Sequence, residues 1–147
     1  MRLLFSLLLL VCAPLQADTI NNYMNIAENI PQMEMKADPQ AQAWARSARH
    51  VLTITSESIA ETLLQANEAA KISGKAIFCL PQGVQLNSLV MNELIQQTYK
   101  EISSQQSDKD TMTVSQIAVL GISKKYPCQT TNDLGSQMSK EILHVSG

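Results

Sequence analysis

The sequence predicts an all-α protein, a small single-domain helical bundle of about four to five helices stapled by one disulfide. Three observations carry the prediction. Apolar residues recur at steps of three and four along successive segments, the period of a helix with one buried face. Start and stop signals bracket those segments, notably Asp38-Pro39, Gly74, Thr113 with Gln116, and Pro127. Once an export leader is set aside, the chain keeps a single pair of cysteines, Cys79 and Cys128.

Residues 1–17 have the layout of a cleavable signal peptide: Arg2, an apolar run from Leu3 to Val11, and the small residue Ala17. Cleavage is expected after Ala17, because a cut after Ala13 would be followed by Pro14. The run is shorter than the roughly 20 apolar residues of a membrane anchor. A lipid anchor through Cys12 is the alternative, although bulky Val11 occupies a position where processing needs a small side chain. The remaining domain, 18–147, is 130 residues long, enough to bury a core of its own. It carries ten Lys and Arg against thirteen Asp and Glu, a net charge of −3. That balance argues against nucleic acid and against an anionic membrane surface as partners. In an exported chain an even cysteine pair reads as a disulfide, here Cys79 with Cys128.

Taken in order, Asp18 is expected to cap a helix through Ile20, Tyr23, Met24, Ala27 and Ile30, ended by Pro31. Asp38-Pro39 starts a second helix, with an N-cap followed by proline at the first helical position. Its expected apolar stripe is Trp44, Ala48, Val51, Leu52, Ile59, Leu63 and Leu64, and Gly74 stops it. The β-branched run Val51 to Thr55 is weakly helical, and Ser58 with Glu61 could restart a helix. A kink or break between Thr53 and Ser58 is therefore expected. Pro81 and Gly83 open the next element, whose apolar positions are Leu86, Leu89, Val90, Met91, Leu94, Ile95, Thr98, Tyr99 and Ile102. Ser103 to Asp110 is polar and reads as a loop. Thr113 and Gln116 form a capping box for a helix through Val114, Ile117, Ala118, Leu120 and Gly121, where glycine would admit a close neighbour. Leu134, Met138 and Ile142 hint at a last short helix, weakened by Gly135.

Nothing in this order composes a catalytic or metal site. A nucleophilic cysteine needs a histidine in reach, and His50 and His144 both lie far from a cysteine in sequence. There is no paired histidine and no Cys-x-x-Cys, and Glu57 with Glu61 lacks histidine partners. Neither an enzyme nor a cofactor is expected. Arg46, Arg49 and His50, spaced by three and four, read as a solvated basic face or as a grip for an anionic group.

The stretch Phe78-Cys79-Leu80-Pro81-Gln82-Gly83-Val84-Gln85-Leu86, followed by a helix, a polar connection and a second helix ending in Tyr126-Pro127-Cys128, resembles the Rap/Tai family of type VI secretion immunity proteins. Cys79, Pro81, Gly83, Val84, Leu86, Leu89, Val90, Pro127 and Cys128 carry the resemblance, which spans 78–128. The chain departs from the family in lacking an upstream cysteine pair and in running nineteen residues past Cys128. The resemblance implies a periplasmic helical protein, often a homodimer, that binds and blocks a peptidoglycan amidase delivered by neighbouring cells. Within the polar connection, Gln105, Gln106, Ser107 and Asp108 are the candidate contacts with such a toxin. The competing expectation is a periplasmic stress chaperone or assembly factor on a similar scaffold.

Overall fold

The computed structural model describes residues 19–102 and 108–128. These hold four α-helices: α1 (Ile20–Glu34), α2 (Pro39–Ile72), α3 (Ser88–Glu101) and α4 (Val114–Lys125), with a 3-10 turn at Lys109–Thr111. The fold is a small all-helical bundle with a Cys79–Cys128 disulfide. The expected signal peptide, Cys12, and the expected last helix around Leu134, Met138 and Ile142 lie outside the described residues.

Helix α2 is the axis of the bundle. At 34 residues it is about 50 Å long. It packs against α1 on one flank and α3 on the other, and α4 closes on α3. Asp38 starts it as expected, its carboxylate accepting the backbone N–H groups of Gln40 and Ala41. Gly74 ends it, with φ 72°, a conformation that costs glycine little. The Gly74 N–H donates to Lys71 O and the Lys75 N–H to Ala70 O, the paired bonds of a Schellman stop.

The expected break in α2 is absent. The helix runs unbroken through Thr53 to Ser58, and Ser58 caps nothing. Packing overrides the weak propensity of this run: Leu52 and Ser56 are buried on the inner face, and Thr53 satisfies its hydroxyl on Arg49 O one turn back. The stripe itself also needs correction. The buried positions are Ala41, Ala45, Ala48, Leu52, Ser56, Ala60, Leu63 and Asn67, a ladder of mostly small residues. Trp44 and Val51, expected inside, face outward. Small side chains let α1 and α3 lie close, so the largest apolar residues are not the ones buried.

Two further boundaries move. Helix α1 begins after Thr19, which makes no side-chain capping bond, while Asp18 lies outside the described residues. It continues through Pro31 to Glu34. Proline removes one N–H and crowds one carbonyl a turn back, and this near the helix end is outweighed by buried Ile30 and half-buried Met33. Helix α3 starts at Ser88 behind Asn87, whose side chain accepts from the Val90 N–H. Leu86 is buried just ahead of the helix, and Leu89 and Leu120, expected on apolar faces, are exposed.

Gly121 does what its position suggests. A Cβ there would collide with Thr98 Oγ1 and sit 3.1 Å from Leu94 Cγ, so α3 and α4 touch where one has no side chain. Gly121→Val should lower the unfolding free energy by about 2 kcal/mol, read by urea titration, because the crossing must open to admit the side chain.

Candidate interaction site

The site is built on the hairpin formed by α3 and α4. At one end, Cys79 and Cys128 are joined with their Cα atoms 4.9 Å apart. Beside the bond, the Cys79 N–H donates to Tyr126 O at 2.9 Å, so the strand-like entry and the exit of the hairpin are tied by sulfur and by backbone. The entry is anchored by a residue the sequence did not single out. Asn67 of α2 is 3% exposed; its Oδ1 accepts the N–H groups of Ile77 and Phe78, and its Nδ2 donates to Phe78 O. Phe78 is fully buried next to exposed Cys79. The turn Pro81 to Val84 follows, with Gly83 at φ 85° and the Val84 N–H on Pro81 O.

Helix α3 ends at the other end of the hairpin, about 20 Å away along its 14 residues. Gln105, Gln106 and Ser107 lie outside the described residues. Asp108 is described and exposed; ahead of the 3-10 turn, its carbonyl accepts from the backbone N–H and the Oγ1 of Thr111, the last residue of that turn. The turn is fastened back onto α3. The Tyr99 hydroxyl donates to Asp110 Oδ1 at 2.6 Å, and Lys109 Nζ lies 4.6 Å from the centre of the Tyr99 ring. The hydrogen bond to the Asp110 carboxylate raises the Tyr99 pKa above the usual tyrosine value, since an ionised oxygen would face a like charge. After the turn, the Ile20 N–H donates to Met112 O, and Thr19 bridges Thr113, fixing the start of α4 to the start of α1. The Thr113–Gln116 capping box forms in full. Met112, just ahead of α4, and Val119 and Leu120 on it leave a shallow apolar depression beside Ser115 and Gln116.

A second feature lies between α1, α2 and α3. There a cleft of about 330 Å³ is lined by Ile30, Leu52 and Leu89 together with Arg49, Asn92 and Gln96. Tyr23 forms its inner support. Its hydroxyl donates to Asn92 Oδ1 at 2.5 Å and shares a hydrogen bond with Ser56 Oγ at 2.8 Å, and Asn92 also accepts from Gln96. Burial pushes the Tyr23 pKa up, with the Ser56 hydrogen bond acting in the opposite sense. Of the basic trio on α2, all three are exposed, and Arg49 turns to α1, where it pairs with Glu34.

No group of three or more His, Cys, Asp or Glu side chains that could hold a metal occurs among the described residues, and no described helix is long and apolar enough to cross a membrane. What the arrangement provides is a presented surface, a polar turn and an apolar patch at the free end of a stapled hairpin. No family model matches the chain, and neither does any curated protein or solved structure.

Asn67 and the Tyr23–Ser56–Asn92 network were not read from the sequence. The available signal was the spacing: Ser56, Ala60, Leu63 and Asn67 keep the helical period, so two polar residues occupy core positions and require buried partners.

Proposed function

We propose that this protein is a periplasmic immunity protein that binds and inhibits a peptidoglycan amidase delivered by a type VI secretion system. The observation that supports the reading best is the closed hairpin. The cysteines that bracket the family-like stretch, Cys79 and Cys128, are one covalent unit, and Asp108, the described candidate contact, lies beyond the opposite end of α3. The turn Lys109–Thr111, fastened to α3 through Tyr99, loses less conformational freedom on binding than a free one, which favours tight occlusion of an enzyme cleft. The apolar depression of Met112, Val119 and Leu120 supplies a desolvated centre beside that polar turn.

The test is titration of the purified protein against secreted amidases from rival strains, with peptidoglycan hydrolysis as the readout. Stoichiometric loss of hydrolysis is expected for the cognate enzyme, together with a complex that survives gel filtration. Absence of both across a broad panel overturns the reading.

A further inference from the structure

The cleft between α1, α2 and α3 lies along the N-terminal part of α3, away from the 3-10 turn that follows that helix. At about 330 Å³ it falls at the lower end of the range for small-molecule pockets, roughly 300–1,000 Å³. Buried Ile30 and Leu52 form its apolar floor, and Leu89, 65% exposed, its rim. Arg49 is the one charged residue among the described residues lining it. Glu34 engages only Nη2 of that guanidinium, so other N–H groups remain for an anion.

Two amides on α3, one turn apart, set the hydrogen-bonding character of the cleft. Tyr23 has one hydroxyl hydrogen and gives it to Asn92 Oδ1, so Ser56 donates to the Tyr23 oxygen. Gln96 Nε2 donates to the same Asn92 Oδ1 at 3.0 Å. These bonds fix which way each amide lies. The Asn92 oxygen and the Gln96 nitrogen are engaged, and among the described residues no partner takes Asn92 Nδ2 or Gln96 Oε1. Two donors on its oxygen also polarise the Asn92 amide and strengthen its nitrogen as a donor. The chain already uses such a pairing elsewhere: Asn67 accepts the N–H of Phe78 and donates to its carbonyl. Asn92 Nδ2 and Gln96 Oε1 offer the same donor and acceptor to the C=O and N–H of one extended residue of a ligand. A carboxylate on that residue would meet Arg49 as well.

We propose that this cleft binds the free carboxyl end of an acylated aliphatic amino acid, such as closes a peptide. The carboxylate lies on Arg49 and Asn92 Nδ2, the N–H of the same residue on Gln96 Oε1, and its aliphatic side chain against Ile30, Leu52 and Leu89. The site is distinct from the turn after α3, so it stands or falls separately from the inhibitory reading.

NMR of the 15N-labelled purified protein, titrated with N-acetyl-L-leucine and with N-acetyl-D-leucine, tests it. Saturable shifts of the Asn92 and Gln96 side-chain amides and of Arg49 Nε–H are expected, with a Kd of about 1 mM for so small a probe. Tighter binding of the L form points to a protein terminus and of the D form to a cell-wall stem peptide; either supports the site. N-acetyl-leucine amide, which lacks the carboxylate, is expected to bind about tenfold more weakly. Arg49→Gln, at an exposed position outside the core, is expected to weaken binding by about the same factor. Glu34→Gln is expected to tighten it about threefold, because Arg49 is released from its pair. Circular dichroism of each variant checks that the helices persist. No saturable shift of the three signals with either enantiomer, at about twenty times the expected Kd, overturns the proposal. Equal affinity for the amide, or binding that Arg49→Gln leaves unchanged, overturns it as well.

Discussion

Replacing Cys79 and Cys128 with serine should lower the unfolding free energy by about 4 kcal/mol, the largest single loss expected in this protein. The bond closes a loop of 49 residues, and by chain-entropy reasoning a cross-link over that span removes roughly this much freedom from the unfolded chain. The folded helices lose little. α3 and α4 remain in contact through Gly121 and Thr98, and the Cys79 N–H keeps its acceptor on Tyr126. Urea titration of the double variant beside the oxidised wild type reads the effect. Reducing the wild type should reproduce it, which separates loss of the bond from any effect of serine. A change under about 1 kcal/mol would show that the helices restrain the ends without the sulfurs.

Asn67→Ala should cost about 3 kcal/mol, more than most substitutions of a polar residue. The amide serves three backbone groups, the N–H of Ile77 and both the N–H and the carbonyl of Phe78. Phe78 is fully buried, so water cannot take over its two bonds without opening the core. Asn67→Asp is the informative companion. A carboxylate can still accept both N–H groups but cannot donate to the Phe78 carbonyl, so it should retain part of the stability and place the remainder on that third bond. Thermal unfolding followed by circular dichroism distinguishes the three proteins.

Much of the fold was legible because its punctuation is local. Asp38-Pro39, Gly74, Thr113 with Gln116, and Gly83 each act within four residues, and each performs the backbone task its chemistry suggests. The pairing of Cys79 with Cys128 is also readable, since no other partner remains once the expected leader is set aside. The misreadings concern α2 and α1, where tertiary contacts decide. The run Val51 to Thr55 is poor helix by propensity, yet Leu52 and Ser56 gain more from burial between α1 and α3 than the run loses. Ranking by size placed Trp44 and Val51 inside, whereas Ala41, Ala45, Ala48 and Ala60 are what allow neighbouring helices to approach. Pro31 was read as a stop because the anchoring of Ile30 across the bundle is invisible along the chain. The candidate site divides similarly. Asp108 lies just ahead of the 3-10 turn within the stretch read as a loop, and the grip of Tyr99, Lys109 and Asp110 that fixes the turn depends on residues ten and eleven apart meeting in space.

The position of the two sulfurs has a chemical consequence. Cys79 is exposed and Cys128 half-buried, so an external thiolate meets Cys79 first and the departing sulfur is that of Cys128. Exchange at this bond proceeds from the outside of a finished bundle, because fully enclosed Phe78 and its Asn67 clamp hold the adjoining backbone in place. Oxidation can thus act as a latch set after the helices have assembled, and a mixed disulfide trapped by a thiol oxidoreductase would carry its link at position 79.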